Sequence, residues 1–398
     1  MARTQFRQLE GRRGFYALLG ALVAMVLAGL GAAWYMEHYG HYVTGMSNRI
    51  VWGMPHVFAV FLIVAASGAL NVASIASVFG REIYKPLTRL SGLLAMTLLA
   101  GGLSVLVLDL GRPDRLIVAM TNYNFKSVFA WNIFLYTGFF AVVALYLWTM
   151  FERRMNRHTG KAGLFAFFWR LVLTTGTGSI FGFLVAREHY NSALMAPLFI
   201  VMSFSFGLAV FMLVLMGVCR GAGCPLGDVL MKRLANLLGV FVAAVLYFVL
   251  VYHLTNLYIT RQHEVERFIL VSGGVYTALF WIGQIVVGGF VPLALIFAPR
   301  ASRLRSALAA ACVIAGGMAQ LYVLIIGGQA YPQAMFADKE VASSFFDGVV
   351  AAYAPSLPEI LLGTGGTALA LALTIVALKV LPFVPQSLAD AEVESSAA

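Results

Sequence analysis

The sequence predicts an all-α integral membrane protein with ten transmembrane helices. Three observations support this: the chain has 398 residues, 61% of them are hydrophobic, and only 11% are charged. Soluble domains carry about 25% charged residues, so the charges here are too few to cover a water-exposed surface. The mean hydropathy of +0.87 also favours lipid as the solvent.

Ten apolar stretches are each long enough to cross a bilayer, which takes about 20 residues of helix. They are continuously apolar rather than alternating, which favours helices over the strands of a barrel. They lie at residues 15–35, 54–79, 90–109, 128–151, 164–186, 193–218, 234–258, 270–298, 306–328 and 360–381.

The spacing of these stretches favours a simple domain organisation. Residues 1–14 are expected to form an N-terminal segment, 15–381 the membrane domain, and 382–398 a tail that is disordered from residue 386. Because membrane carriers are often built from repeated bundles, we expect two four-helix bundles, at about 54–186 and 193–328, with the first and last helices at their flanks.

Most of the 27 Lys and Arg residues lie in the connections on the side of the two termini. This bias predicts that both termini are cytoplasmic. The expected location is a bacterial inner membrane. The net charge of +10 is therefore explained by orientation, and no nucleic-acid partner is expected. Three cysteines and no C-x-x-C-H motif exclude a covalently attached haem and an iron–sulfur cluster held by four cysteines of this chain. We expect the chain itself to bind no haem, cluster or metal.

Polar residues concentrate where the second, third and fourth helices reach the outer face. Imidazole, carboxylate, guanidinium, amide and phenol groups beside tryptophans would form a pocket at the depth of a lipid-soluble headgroup. Such a pocket suits quinone chemistry, because each quinone oxygen gains or loses a proton as two electrons pass. The candidate quinone-binding or proton-transfer residues are His56, Asp109, Arg112, Tyr123, Trp131 and Asn132.

A structural interpretation of the same residues stays open. Asp109 and Arg112 are three residues apart at a helix end, so Asp109 could pass protons outward or simply anchor Arg112 in an ion pair. His56 follows Pro55 and could be an ordinary interfacial histidine. Trp131 has the position of an aromatic belt residue.

Four polar residues lie within the apolar stretches, where polar side chains are costly. They form a candidate proton path, with interhelical hydrogen bonding as the alternative. Arg170 is expected to snorkel to the cytoplasmic interface. The four residues of the candidate path are Asn71, Arg170, Gln284 and Gln320.

Farther along the outer face, Glu188 and His189 are expected to be solvated loop residues, and a haem ligated by His56 and His253 is disfavoured.

The sequence Asp109-Leu-Gly-Arg-Pro113, followed by Ser127 and Trp131, resembles the NrfD/polysulfide reductase family of membrane subunits. The stretch from Ile50 to His56 is most similar to members that serve sulfite-reduction-associated complexes. The resemblance implies two four-helix bundles and a quinone site in the first bundle, with His56 and Asp109 at its polar positions. It also implies a periplasmic ferredoxin-like iron–sulfur partner, a multihaem cytochrome c nearby and further membrane subunits.

The expected function is therefore a quinone- or quinol-interacting membrane subunit of a respiratory or sulfur-metabolism redox complex. The quinone, either menaquinone or ubiquinone, would exchange electrons with the iron–sulfur partner on the outer face. The sequence also allows two alternative functions: a redox-coupled proton-translocating subunit and a passive membrane anchor.

Overall fold

The computed structural model describes residues 5–299, 302–333 and 348–391, and within them ten helices are long and apolar enough to cross a membrane. The prediction of an all-α membrane protein with ten spans is therefore confirmed, and the chain is a multi-pass membrane protein. The spans are α1 Arg13–Tyr39, α2 Met54–Ser77, α3 Glu82–Leu108, α4 Val128–Phe151, α5 Asn156–Gly182, α6 Met195–Ala222, α7 Asp228–Tyr258, α8 Val275–Phe297, α9 Arg303–Ala330 and α10 Leu357–Val380.

The two ends of the described chain meet. Strand β1, Phe6–Arg7, pairs antiparallel with β2, Val384–Pro385. Both ends therefore lie on one face, called here the terminal face, and the opposite face is called the site face. Beyond β2, the backbone N–H of Leu388 donates to Pro225, and the Leu388 side chain is buried. The expectation of a disordered tail is wrong for residues 386–391, while 392–398 lie outside the described residues.

The helices pack in two groups. In the first group, α2–α5, helix α2 contacts α3 and α5, and α4 contacts the same two helices. In the second group, α6–α9, helix α6 contacts α7 and α9, and α8 contacts the same two. Helix α10 packs on α1, α2 and α3. The division into two four-helix bundles at the boundaries given above stays a prediction.

The two groups meet most closely where α2 crosses α6. A Cβ atom added to Gly68 would lie 1.6 Å from the backbone oxygen of Ser203, and one added to Gly207 would lie 2.2 Å from the backbone nitrogen of Ala69. Only glycine allows the two backbones to approach so closely, as is usual between membrane helices. This crossing joins the interior of α2 to the second group.

Candidate functional site

The site begins at the first turn of α2 and the last turn of α3. Pro55 occupies the start of α2, where its missing N–H costs nothing. Helix α3 ends at Leu108, so Asp109 is its C-cap. Because α2 and α3 run antiparallel and in contact, His56 and Asp109 meet at the site face.

His56 and Asp109 form a pair in which only the imidazole is partly exposed. His56 Nδ1 lies 2.8 Å from Asp109 Oδ2, and the two side chains are 19% and 1% exposed. The contact has ion-pair distance without hydrogen-bond geometry, and no described residue donates a hydrogen bond to either oxygen of Asp109. A buried carboxylate without donors is unfavourable, so this pair has unused capacity to accept a proton or a donor group from a ligand.

An aromatic surface lies beside the pair. The Trp52 ring stacks on the His56 ring, with centroids 5.9 Å apart and an interplanar angle of 26°. Trp52 also contacts Phe181 edge-on and stacks with Tyr190 at 6.4 Å. The His56 imidazole therefore lies at the edge of a cluster of aromatic rings.

Two side chains from other elements hold the backbone that carries Trp52. Gln329 of α9 accepts from the N–H groups of Val51 and Trp52 and donates back to the Trp52 oxygen. Arg187 donates to the backbone oxygens of Gln329 and Arg49. Gln329 of the second group and Arg187 of the α5–α6 connection thus hold the loop that carries Trp52.

A second clamp holds the start of α2. The backbone N–H of Met54 donates to the Tyr353 hydroxyl, and that hydroxyl donates to Glu359, each over 2.6 Å. Glu359 is fully buried, and it also accepts from the backbone N–H groups of Gly45 and Ser356. Burial, together with the neighbouring carboxylate, raises the pKa of Tyr353, so its hydroxyl remains a donor.

Arg112 does not join Asp109, so the alternative of an Asp109–Arg112 ion pair is wrong. The Arg112 guanidinium instead makes two hydrogen bonds to Asp114, at 3.1 and 3.0 Å, and both side chains are exposed. The helix ends at Leu108 and the chain turns at Pro113. The helical spacing on which the pair depended therefore stops before Arg112.

Tyr123 and Trp131 belong to a separate aromatic cluster at the beginning of α4. Tyr123 packs on Phe125 and Phe134, and Trp131 is half-exposed and donates to the backbone oxygen of Phe125. Neither side chain has a described contact with His56 or Asp109. This geometry agrees with the belt position of Trp131.

Asn132 is buried between α4 and α5. Its amide nitrogen donates to the backbone oxygens of Val128 and Gly176. Its amide oxygen is buried with no hydrogen-bond partner in the described residues. Asn132 therefore joins two helices and keeps one free acceptor.

The four residues of the candidate proton path fall into two places. Asn71 accepts a 2.8 Å hydrogen bond from Arg170 within the first group. Gln284 and Gln320 line cavities within the second group. The structure therefore does not gather the four side chains into one cluster.

Arg170 is fully buried, so the expectation that it snorkels is wrong. Its guanidinium lies over the rings of Phe167 and Phe204, 4.8 and 5.0 Å from their centroids. Helix α5 begins at Asn156 rather than at residue 164, so Arg170 lies deeper than its sequence position suggested. Asn71 gives it an interior partner.

The site face of the second group holds a buried ionic cluster. His253 Nδ1 lies 2.6 Å from Glu266 Oε2, and Asn256 donates to Glu266 Oε1 over 2.8 Å. His189 is 3% exposed, so its interpretation as a solvated loop residue is wrong, whereas Glu188 pairs with Arg261. Burial lowers the pKa of His189 to about 4, so the imidazole is neutral near pH 7.

Comparison with known proteins gives the family. The polysulphide reductase NrfD family matches residues 42–333, which is well over half of the protein. The chain belongs to the NrfD family. The family resemblance given by the sequence motifs is therefore confirmed, and both the His56–Asp109 pair and the His253–Glu266 pair lie inside the matched region.

The named relatives of this NrfD protein are parts of oxidoreductases. The sequence is 28% identical over 395 residues to an Hdr-like menaquinol oxidoreductase integral membrane subunit of Archaeoglobus fulgidus, covering 98% of this protein and 99% of the relative. It is 26% identical to a selenate reductase subunit of Mesobacillus selenatarsenatis, covering 79% of each. It is also 25% identical to one of the polysulfide reductase chains of Wolinella succinogenes, covering 71% of this protein and 96% of the relative.

Sequence reasoning missed three buried residues of this NrfD protein. Glu359 forms a capping box with Ser356, and the spacing Ser-x-x-Glu was a usable signal for the cap. No local pattern pointed to its contact with Gly45. Glu266 contacts His253 and Asn256 across the turn that ends α7. Gln329 contacts the backbone before α2, which is far away in sequence. Only the folded structure shows these contacts.

Proposed function

We propose that this NrfD protein is the quinone-interacting membrane subunit of a redox complex, and that quinone reacts beside His56 and Asp109. The observation that carries the proposal is the Asp109 carboxylate, buried, 2.8 Å from an imidazole and without a hydrogen-bond donor among the described residues. A quinol hydroxyl is a donor of the kind that this carboxylate lacks. The relative named as a menaquinol oxidoreductase subunit supports the same ligand class.

The residues have distinct roles in the proposed reaction. Oxidation of a quinol releases two electrons and two protons. His56 can accept the proton of one hydroxyl, Asp109 stabilises the imidazolium that results, and the proton of the second hydroxyl passes to water at the site face. Trp52 supplies a stacking surface for the ring. The reverse direction uses the same groups, with the imidazole as the proton donor.

The electrons pass to partner subunits in this proposal. We infer a ferredoxin-like iron–sulfur subunit docked on the site face, which would be periplasmic, with both termini cytoplasmic in a bacterial inner membrane. A multihaem cytochrome c and further membrane subunits would complete the complex. The similarity of residues 50–56 to DsrP, the membrane subunit of the DsrMKJOP complex, favours a role in sulfur metabolism.

The test is quinol-dependent electron transfer in the purified complex. His56→Ala and Asp109→Asn are each expected to lower the rate by about 100-fold or more, the usual range for losing an acid–base group. His38→Ala and Asp114→Asn change the same residue types at exposed positions of the same face, and they should keep wild-type rates. Wild-type rates in both site variants would exclude this location for the quinone reaction.

A further inference from the structure

The second group contains a buried ionisable pair that the proposed quinone reaction does not use. Glu266 is fully buried, and its two carboxylate oxygens are held by His253 and Asn256. The His253 side chain is 12% exposed. The His253–Glu266 pair lies at the site face, in the second helix group, whereas His56 and Asp109 lie in the first.

The charged and titratable groups around this pair come from two connections, α5–α6 and α7–α8, and from helix α7. His189 lies on the inner side, and the Tyr252 hydroxyl donates to its backbone oxygen. Glu188 and Arg261 form an ion pair farther out. Burial alone would raise the pKa of Glu266, but the hydrogen bond and charge of His253 outweigh it and hold that pKa below its ordinary value.

A small cavity of about 30 Å³ adjoins the pair. Its lining includes His189, Tyr252, His253, Gln284 and Gln320 among apolar side chains. A second cavity of about 20 Å³ extends deeper between α6, α7, α8 and α9, and the same two glutamines line it. A water molecule needs about 10–15 Å³ of such space and two to four polar partners, so each cavity is large enough to hold one.

The two glutamines have hydrogen-bonding capacity to spare. Both are at most 8% exposed, and neither side-chain amide has a hydrogen-bond partner among the described residues. Buried amides are normally satisfied by protein or by ordered water. Because both amides line the two cavities, water in those cavities is the group that can satisfy them.

The backbone around the glutamines is also irregular. Gln284 lies in a π-helical stretch, Leu279–Phe290, and Gln320 lies just before another, Val323–Gly327. Such wide turns are rare and frequently occur at functional sites. Helices α8 and α9 touch at Gly288 and Gly316, directly beside the deeper cavity.

We infer that the second group holds a hydrated proton-exchange site, in which the His253–Glu266 pair binds the proton and water held by Gln284 and Gln320 carries it. The ligand is a proton transferred from water to the imidazole–carboxylate pair and returned to water, with no electron transfer. A purely structural ion pair would explain the burial of Glu266, but it would leave Gln284 and Gln320 unexplained. The inference does not depend on the quinone site.

The test follows the infrared carboxylate band of Glu266 in the purified complex without quinone after a rapid pH jump across the imidazole range, from about pH 8 to about pH 5. The band should shift as the proton arrives, and Glu266→Gln should abolish the signal. The double variant Gln284→Leu/Gln320→Leu should slow the shift by about tenfold or more. Gln320→Met, which preserves volume, should slow it in the same direction if the double variant does not fold.

Two controls separate this inference from the quinone proposal. Gln386→Leu makes the same chemical change at an exposed position on the terminal face and should leave the shift at its wild-type rate. His56→Ala should also leave it unchanged, whatever it does to quinol oxidation. A shift that survives in Glu266→Gln, that never occurs in the wild type, or that keeps its rate in the glutamine variants would overturn the inference.

Discussion

On the site face, each helix group contains an imidazole next to a carboxylate: His56 and Asp109 in the first, His253 and Glu266 in the second. The two carboxylates differ in their hydrogen bonds. In the second group, Glu266 is held by His253 and Asn256. In the first group, Asp109 receives no hydrogen bond from the described residues and faces a partly accessible His56. The Glu266 carboxylate already has its hydrogen-bond donors, whereas the Asp109 carboxylate has capacity left for a donor from a ligand.

The largest expected difference between the two pairs is in stability. Glu266→Ala leaves His253 and Asn256 without their partner, and breaking a buried ion pair costs about 3–5 kcal/mol. Asp109→Asn removes a charge that lacks hydrogen bonds, so it should change the free energy of unfolding by less than about 1 kcal/mol. Thermal unfolding of the purified variants measures both. Equal destabilisation by the two changes would contradict the difference between the pairs.

A second prediction concerns how stability depends on pH through His189, which is buried beside the His253–Glu266 pair. Its pKa is lowered to about 4 in the folded protein, against an ordinary value of 6.5. Between these values the unfolded protein binds a proton that the folded protein does not, so stability falls as the pH decreases through this window. The loss approaches about 3 kcal/mol at the acid end.

His189→Gln should remove this component and flatten the dependence of the unfolding temperature on pH between about 6.5 and about 4. His38→Ala, which removes an exposed imidazole of the same face, serves as the control and should leave the slope unchanged. A full wild-type slope in His189→Gln would mean that His189 is not held neutral by burial.

The smallest effects are expected at two residues that the sequence had placed in the quinone pocket. Arg112 is exposed and bound to Asp114, and Trp131 is half-exposed in the belt cluster. Exposed ion pairs contribute about 0–1 kcal/mol. Arg112→Gln and Trp131→Phe should therefore leave quinol oxidation within about twofold of wild type. A loss comparable to that of Asp109→Asn would extend the site outward to these residues.

The sequence was sufficient for the ten spans because each is a continuous apolar run of membrane length. It also brought His56 and Asp109 to one face, since both lie at helix ends that alternate across the bilayer. It could not give the partner of Arg112, which depends on where α3 unwinds, or the burial of Arg170, which depends on where α5 begins. The roles of Glu266 and Gln329 depend on contacts between segments that only the fold brings together.

The most direct test of the quinone site is photolabelling of the purified complex with an azido-quinone, followed by peptide mapping. Labels are expected at the start of α2 around Trp52 and His56 and at the end of α3, and excess unlabelled quinone should compete them away. Labels concentrated around His253 and Phe280 in the second group, with none at the His56–Asp109 pair, would contradict it.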